Sequence, residues 1–348
     1  MNSKFTFKPL VSAKQSGLTL VELMVSITLS LFVVLAATAL LLSSKSAYMS
    51  QSDSANFQDT ARYAMENIVR SIRQAGYENW DKEEQDAPIT ANPEMSANLV
   101  GLDSNSVGGG FTSPGIDSLT GTSINGSDVL AVRFFGANKV GAATPDGTIF
   151  DCAGNDISAP TSQNTADEDR AWSIYYVDID AAGEPELRCK YRKDGGSTWN
   201  SDAIARGIES FQVLYGVDTD YVPSTGKGAD RIPNQFLTAT QINAKDSALT
   251  LVGTDVAAKA LDKNRKTWWK RVSVIKVAML VRGTANVRAD ATATTYDLFG
   301  KEYSSANAAT DIGTQIKEAN LPADTRNKGR KVFLTTIQLR NQSEGSGS

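Results

Sequence analysis

The sequence predicts an α+β protein in which one long N-terminal α-helix packs against an antiparallel β-sheet domain. The first observation is an apolar run, residues 18–42, that continues without proline or glycine into an amphipathic stretch ending before Gly76. The second is a series of short segments after residue 128, rich in β-branched and aromatic residues and bounded by turn residues. The third is size, because 348 residues with 41% hydrophobic content can bury a substantial core.

The apolar run is long enough to cross a membrane as a helix. Residues 18–42 would extend about 37 Å, against a hydrocarbon core of about 30 Å. The helical pattern then continues as a stripe of apolar residues at spacings of three and four: Phe57, Ala61, Ala64, Ile68, Ile72 and Ala75. We therefore expect one helix over residues 18–76, with 18–42 in the membrane or filament core and Gly76 as its C-terminal cap.

A globular β-rich domain is predicted over residues 77–342. Its start, residues 78–128, resembles a loop with many turn signals, apart from a short strand at 99–102. The predicted strands are 99–102, 129–135, 172–179, 186–192, 208–217, 272–281 and 332–340. Residues 180–185 predict a hairpin turn, and residues 223–267 predict a polar insertion that is helical around 256–261. Residues 343–348 predict a disordered tail.

Glu22 is the only charged residue of the apolar run, and its position needs an explanation. A carboxylate near the membrane is costly unless it is paired, so it indicates a function. The preceding segment, residues 1–17, contains three lysines and no acid, which predicts a cytoplasmic leader and export of the rest. Two simpler interpretations are a secretory signal cut at Ala37-Thr38-Ala39 and a signal anchor with an incidental glutamate.

Cleavage between Gly17 and Leu18 explains the acid better. Leu18 then becomes the amino terminus and Glu22 the fifth residue, so that a carboxylate and an α-ammonium could pair, most usefully between neighbouring subunits. Glycine suits such a cleavage site because it lets the backbone lie extended in a protease. The ordinary secretory signal fits less well, because its apolar region spans only about 7–15 residues.

Residues 14–23, KQSGLTLVEL, resemble the class III signal of type IV pilins and type II secretion pseudopilins. In that family a membrane aspartic protease, the prepilin peptidase, cuts after the glycine and methylates the new terminus, here Leu18. This chain has leucine where the family usually has phenylalanine. Further segments, at residues 66–77, 207–218, 268–282 and 331–341, resemble the PilW family of minor pilins.

The resemblance implies a pilin-like structural subunit rather than an enzyme. It implies partners among other minor pilins, the major pilin and a large tip adhesin, and a role in priming pilus assembly. The filament would serve twitching motility, adhesion and DNA uptake. Before assembly the protein would cross the inner membrane once with its C-terminus in the periplasm, and afterwards it would lie near the pilus tip. The alternatives are a type II secretion pseudopilin of the J type, or a membrane-anchored periplasmic binding protein or hydrolase.

Composition limits the other classes of function. The chain has no histidine, which excludes Ser-His-Asp catalysis and histidine-ligated metal sites. Removing the three leader lysines from a chain of net charge −4 leaves −7, so direct binding to nucleic acid is not expected. We expect no cofactor. Cys152 and Cys189 are the only cysteines, and in an exported chain they predict one disulfide, with two buried thiols as the alternative.

Four further features are weaker candidates for sites. Asp178 and Asp180 resemble the start of a calcium loop, but the later ligand positions are missing. Asp218 and Asp220 could also bind calcium, although acids are common in turns. The glycines at 108–110 lack the lysine and helix of a phosphate loop. Of the adjacent tryptophans at 268 and 269, we expect one to lie in the core and the other to be available as an interface anchor.

Overall fold

The computed structural model describes residues 17–78, 91–110, 112, 114–116, 119, 121–192, 198–220, 230–288 and 293–341. The leader up to residue 16, the predicted tail at 343–348 and residues 223–229 of the predicted insertion lie outside the described residues. The chain divides into two compact units, Met1–Gln51 and Ser52–Ser348. The boundary between them falls inside the first helix.

Helix α1 spans Leu20–Gln74, within two residues of the predicted bounds at each end. It ends where Gly76 adopts the left-handed conformation with φ of 65°, which confirms the predicted glycine cap. The Gly76 N–H donates to the carbonyl oxygen of Arg133 at 3.0 Å, so the helix end is bonded to the domain. A side chain at this position would also collide with Asn98 and with the backbone of Asn341.

The remaining elements follow in the order of the chain. The strands are β1 (Leu99–Leu102), β2 (Asn105–Ser106), β3 (Gly121–Thr122), β4 (Val129–Phe134), β5 (Ala171–Ile179), β6 (Pro185–Arg192), β7 (Trp199–Arg206), β8 (Ile208–Val217), β9 (Gln235–Leu237), β10 (Val272–Asn286), β11 (Thr295–Asp297), β12 (Gln315–Lys317) and β13 (Lys328–Gln338). The helices after α1 are α2 (Ala166–Asp169), α3 (Ala239–Ser247), α4 (Val256–Lys266) and α5 (Lys301–Asn307).

The strands form two main antiparallel sheets. The first has five strands in the order β1-β4-β5-β6-β7, and the second has four in the order β13-β10-β8-β9. Two small ribbons, β2-β3 and β11-β12, accompany them. A long N-terminal helix with antiparallel sheets in the C-terminal domain confirms the α+β prediction.

Each of the seven predicted strands is present, but the prediction was incomplete. It did not include β7, whose sequence WNSDAIAR alternates weakly and lies at the edge of its sheet. The predicted helix at 256–261 is longer, Val256–Lys266, and α3 and α5 were not predicted. The glycines at 108–110, which lack the features of a phosphate loop, form a 3-10 turn. The predicted hairpin between β5 and β6 is confirmed, with Gly183 at φ of 84°.

The core of the Ser52–Ser348 unit lies between the second half of α1 and the two sheets. The predicted helix stripe is buried there, with Ala61, Ala64, Ile68 and Ile72 inaccessible to solvent. Strands β4, β5 and β10 are buried on both faces because smaller apolar clusters cover the faces that point away from the main core. This explains why their sequences are nearly continuous apolar runs rather than alternating patterns.

Polar side chains of α1 fix the helix to the sheets. The Tyr175 hydroxyl on β5 donates to Asn67 Oδ1 at 2.5 Å, and it lies 2.6 Å from the Ser71 hydroxyl. Burial raises the pKa of Tyr175, so the phenol remains a donor. Buried Asp53 accepts from the Thr284 N–H on β10 at 2.8 Å, and these bonds fix the rotation of the helix on the sheets.

Candidate functional site

The site predicted at the start of α1 consists of Gly17, Leu18 and Glu22. The structure joins the last of these to Thr19, which the sequence analysis had not considered. The Thr19 N–H donates to Glu22 Oε2 at 3.0 Å, and the Thr19 hydroxyl donates to the same oxygen at 3.1 Å. In return the Glu22 N–H donates to Thr19 Oγ1 at 3.3 Å. This is a capping box, and its signal, a threonine followed three residues later by a glutamate, was present in the sequence.

The capping box leaves part of the carboxylate free. Only Oε2 of Glu22 accepts hydrogen bonds among the described residues. Oε1 is therefore able to accept from a group outside this chain, such as the α-ammonium of a second subunit. The positive end of the helix dipole further stabilises the ionised acid at this place. The Glu22 carboxylate can thus cap the N-terminus of its own helix and still pair with a cationic group of a neighbouring subunit.

The surface of the helix after Glu22 is apolar and exposed. Leu18 is 75% exposed and Phe32 is 70% exposed, and the apolar part of the helix contains no buried residue. Four hydroxyls interrupt this surface, and each donates to a carbonyl of the preceding turn at 2.7–2.9 Å: Ser26, Thr28, Ser30 and Thr38. Because their polar groups are satisfied within the helix, the segment is suited to lipid or to a bundle of apolar helices.

Gly17 lies just before the helix, in an open environment. Among the described residues no heavy atom comes within 4 Å of a Cβ built on it. Packing in this chain therefore does not require a glycine here. A requirement of the cleavage reaction remains the simplest reason for the residue, and cleavage after Gly17 stays a prediction.

The cysteines are joined in the disulfide that the sequence indicated. Cys152 precedes β5 in the chain and Cys189 lies on β6, with their Cα atoms 6.0 Å apart. Both are buried. Asn67 of α1 donates to the Cys152 carbonyl at 3.0 Å, so the helix, the loop and the sheet meet at the disulfide.

The two candidate calcium loops use their acids to bind their own backbone. Asp180 Oδ1 accepts from the N–H groups of Ala182 and Glu184 at 2.8 and 2.9 Å, and the Glu184 bond is the main cause of a lowered Asp180 pKa. The Asp218 carboxylate accepts from the backbone N–H groups of Asp220, Asp230 and Arg231. Within the described residues no group of three or more potential ligands could hold a metal ion.

The adjacent tryptophans differ in their environments. Trp269 is buried against Tyr215, with ring centroids 4.9 Å apart, and its indole N–H donates to Asn243 at 2.9 Å. Trp268 is only partly buried, and Lys245 and Arg271 lie over its ring. One tryptophan is therefore in the core as predicted, and whether the other is an interface anchor remains a prediction.

Comparison with known families gives two matches. Residues 12–38 match the prokaryotic N-terminal methylation motif, which covers Gly17, Leu18 and Glu22. Residues 174–341 match the type IV pilus-assembly protein W family, which runs from β5 to the end of the described chain. The chain is therefore similar to the PilW family over its C-terminal part and carries the methylation motif at its start. No curated protein and no solved structure matched it.

The two matches together have direct consequences for this protein. It is a type IV pilus-related minor pilin, and the family that it matches is a structural component of pilus assembly rather than an enzyme family. The methylation motif and the apolar helix identify a membrane-anchored pilin that later joins the pilus. A PilW-family protein interacts with other components of the pilus.

Proposed function

We propose that this protein primes assembly of the type IV pilus together with other minor pilins, at a position near the tip. The prepilin peptidase cleaves it after Gly17 and methylates Leu18. Before assembly it crosses the inner membrane once, with its C-terminus in the periplasm. Through the filament it supports twitching motility, adhesion and DNA uptake, and its partners include the major pilin and a tip adhesin.

The observation that carries the proposal is the geometry at the start of α1. Glu22 would be the fifth residue after cleavage, it keeps one carboxylate oxygen available, and an exposed apolar helix follows it. An incoming subunit of this kind gains an ion pair with the terminus above it, while its apolar side chains pack among other helices. A subunit at the extreme tip would have no terminus above it, so we place this protein just below at least one other subunit.

The size of the second unit supports a low copy number. The unit Ser52–Ser348 carries two main sheets, two ribbons and several helices in addition to the spine of α1. Repeated stacking of so large a domain along a helical filament is sterically difficult. A few copies near the tip avoid that difficulty. A minor pilin at the tip can start a filament without being repeated along the filament shaft.

Deletion of the gene followed by complementation tests the proposal. We expect the deletion to abolish surface pili and twitching while protein secretion continues, and the full chain to restore both. Restoration by a Glu22→Ala chain to normal piliation would contradict the assembly role of the acid. Loss of exoprotein secretion with normal twitching would instead identify a type II secretion pseudopilin. A mature protein that retains its leader would favour a membrane-anchored binding protein or hydrolase.

A further inference from the structure

A groove on the Ser52–Ser348 unit is lined by positively charged residues that have no ion-pair partner among the described residues. It has a volume of about 640 Å³ and is lined by α1, by the loop before β5 and by the end of the described chain. Three of its arginines, Arg62, Arg70 and Arg73, project from the helix, and Arg340 follows β13. We call this feature the arginine groove.

The four arginines have no charged partner within the described part of the chain. All four are exposed, and none makes an ion pair or a side-chain hydrogen bond there. The groove contains one acid, Glu66, so its lining carries four positive charges and one negative charge. Several other arginines of the unit are paired with acids, as Arg330 is with Glu209 at 2.6 Å. The groove is thus a local excess of positive charge on a chain whose net charge is −4.

The groove also has apolar walls. Met65 and Val69 of α1 are partly buried at its side, and Ile149 lines it from the loop before β5. Arginines that border apolar side chains favour a protein segment carrying both carboxylates and apolar residues. A nucleic-acid backbone would use the arginines but would leave these apolar walls without a partner.

We propose that the arginine groove docks an acidic segment of a neighbouring pilus subunit. The proposal rests on the proposed function, since it takes that subunit to be another pilin. Arginine is well suited to this contact because its planar guanidinium can bind a carboxylate through two parallel hydrogen bonds. Because three of the arginines lie on α1, the neighbouring subunit would contact this helix directly rather than the loops of the domain.

The test uses the full-length protein in living cells. A photoreactive benzoyl-phenylalanine replaces Glu66 inside the groove, and crosslinked partners are identified by mass spectrometry. The control position is Val256 on α4, which is 87% exposed and lies outside the groove lining. We expect a crosslink from position 66, and not from position 256, to an acidic segment of a major or minor pilin.

Charge reversal shows whether the arginines hold the partner. Arg70→Glu with Arg73→Glu should lower the crosslink yield about tenfold, because two attractive contacts become repulsive. The matched control is Lys259→Glu with Lys263→Glu, two exposed residues one turn apart on α4, which should leave the yield unchanged. Equal membrane levels of all variants exclude misfolding. Reversing the acids of the crosslinked segment to lysine should restore the yield in the arginine variant.

Several results would overturn the docking of an acidic pilin segment. They are a crosslink to a neutral or basic segment, a yield that charge reversal does not change, and failure of the reversed partner to restore it. Retention of a short DNA duplex by the detergent-solubilised full chain, lost in the arginine variant, would assign the groove to nucleic acid instead. If deletion of the gene abolishes pili but the arginine variant assembles them normally, the groove proposal fails and the proposed function stands.

Discussion

Substitutions at Glu22 and Thr19 separate two roles of the carboxylate. Glu22→Gln keeps an oxygen that can accept the Thr19 N–H, a bond of 3.0 Å in the structure, but removes the charge. Glu22→Ala removes both. Thr19→Ala removes the two bonds made by the Thr19 hydroxyl, at 3.1 and 3.3 Å, and leaves the carboxylate in place.

The expected magnitudes follow from these contacts. Loss of an N-terminal cap costs a helix about 1 kcal/mol, so Thr19→Ala should lower incorporation into pili about fivefold at most. Removing one partner of an ion pair in a medium of low dielectric reduces the assembled population about a hundredfold or more, and we expect that loss for Glu22→Ala. Glu22→Gln should lie between these two, because its amide keeps the cap and a neutral hydrogen bond but no ion pair.

The assay measures this protein in sheared pili relative to the membrane fraction of the same cells. Mass spectrometry of the membrane form provides the control, since every variant should be inserted and cleaved as the wild type is. Equal incorporation of Glu22→Gln and wild type, together with a large loss for Thr19→Ala, would refute the ion-pair reasoning. The carboxylate would then act only by capping the N-terminus of its own helix.

Three further predictions follow. The mature protein should begin at N-methylated Leu18, and a measured mass matching a start at Met1 or Leu40 in the wild type would contradict this. Gly17→Val should block cleavage without disturbing the fold, because no heavy atom lies near a side chain at this position. Replacing Cys152 and Cys189 together by alanine should lower the free energy of unfolding by about 3–4 kcal/mol in denaturant titrations, with membrane insertion unchanged. An unchanged midpoint of denaturant unfolding would be inconsistent with a stabilising disulfide. Burial raises the pKa of Asp311 to about 6, so the folded state binds a proton that the unfolded chain releases at about pH 4, and stability should fall as pH rises between these values. Asp311→Asn should flatten that part of the stability profile, and an identical profile in the variant would exclude the assignment.

Much of the fold could be predicted because its signals are local. Helix α1 follows from an apolar run, a stripe at helical spacing and a glycine at its end, all of which lie next to one another in the chain. The buried strands β4, β5, β8 and β10 were found because burial on both faces makes a strand continuously apolar. The cleavage motif is local for the same reason, since a protease recognises an extended segment.

The prediction was weaker where an element depends on its neighbours. Strand β7 has polar and alanine residues that would suit a loop, and it is extended because β6 provides a partner along its length. The capping box of Thr19 and Glu22 is a different case, because its signal is local and the same acid serves both the cap and the predicted subunit contact.

The sequence by itself determined the class of the protein, the limits of the long N-terminal helix, the acid near the start of that helix and the cysteine pair. Only the tertiary structure decided the order of the strands, the burial of Tyr175 against α1 and the collection of Arg62, Arg70, Arg73 and Arg340 into one groove. The physical reason is distance along the chain. Local patterns act through neighbouring residues, whereas Arg340 joins the arginines of α1 only because the strand before it pairs with β10 and brings the end of the chain back to the helix.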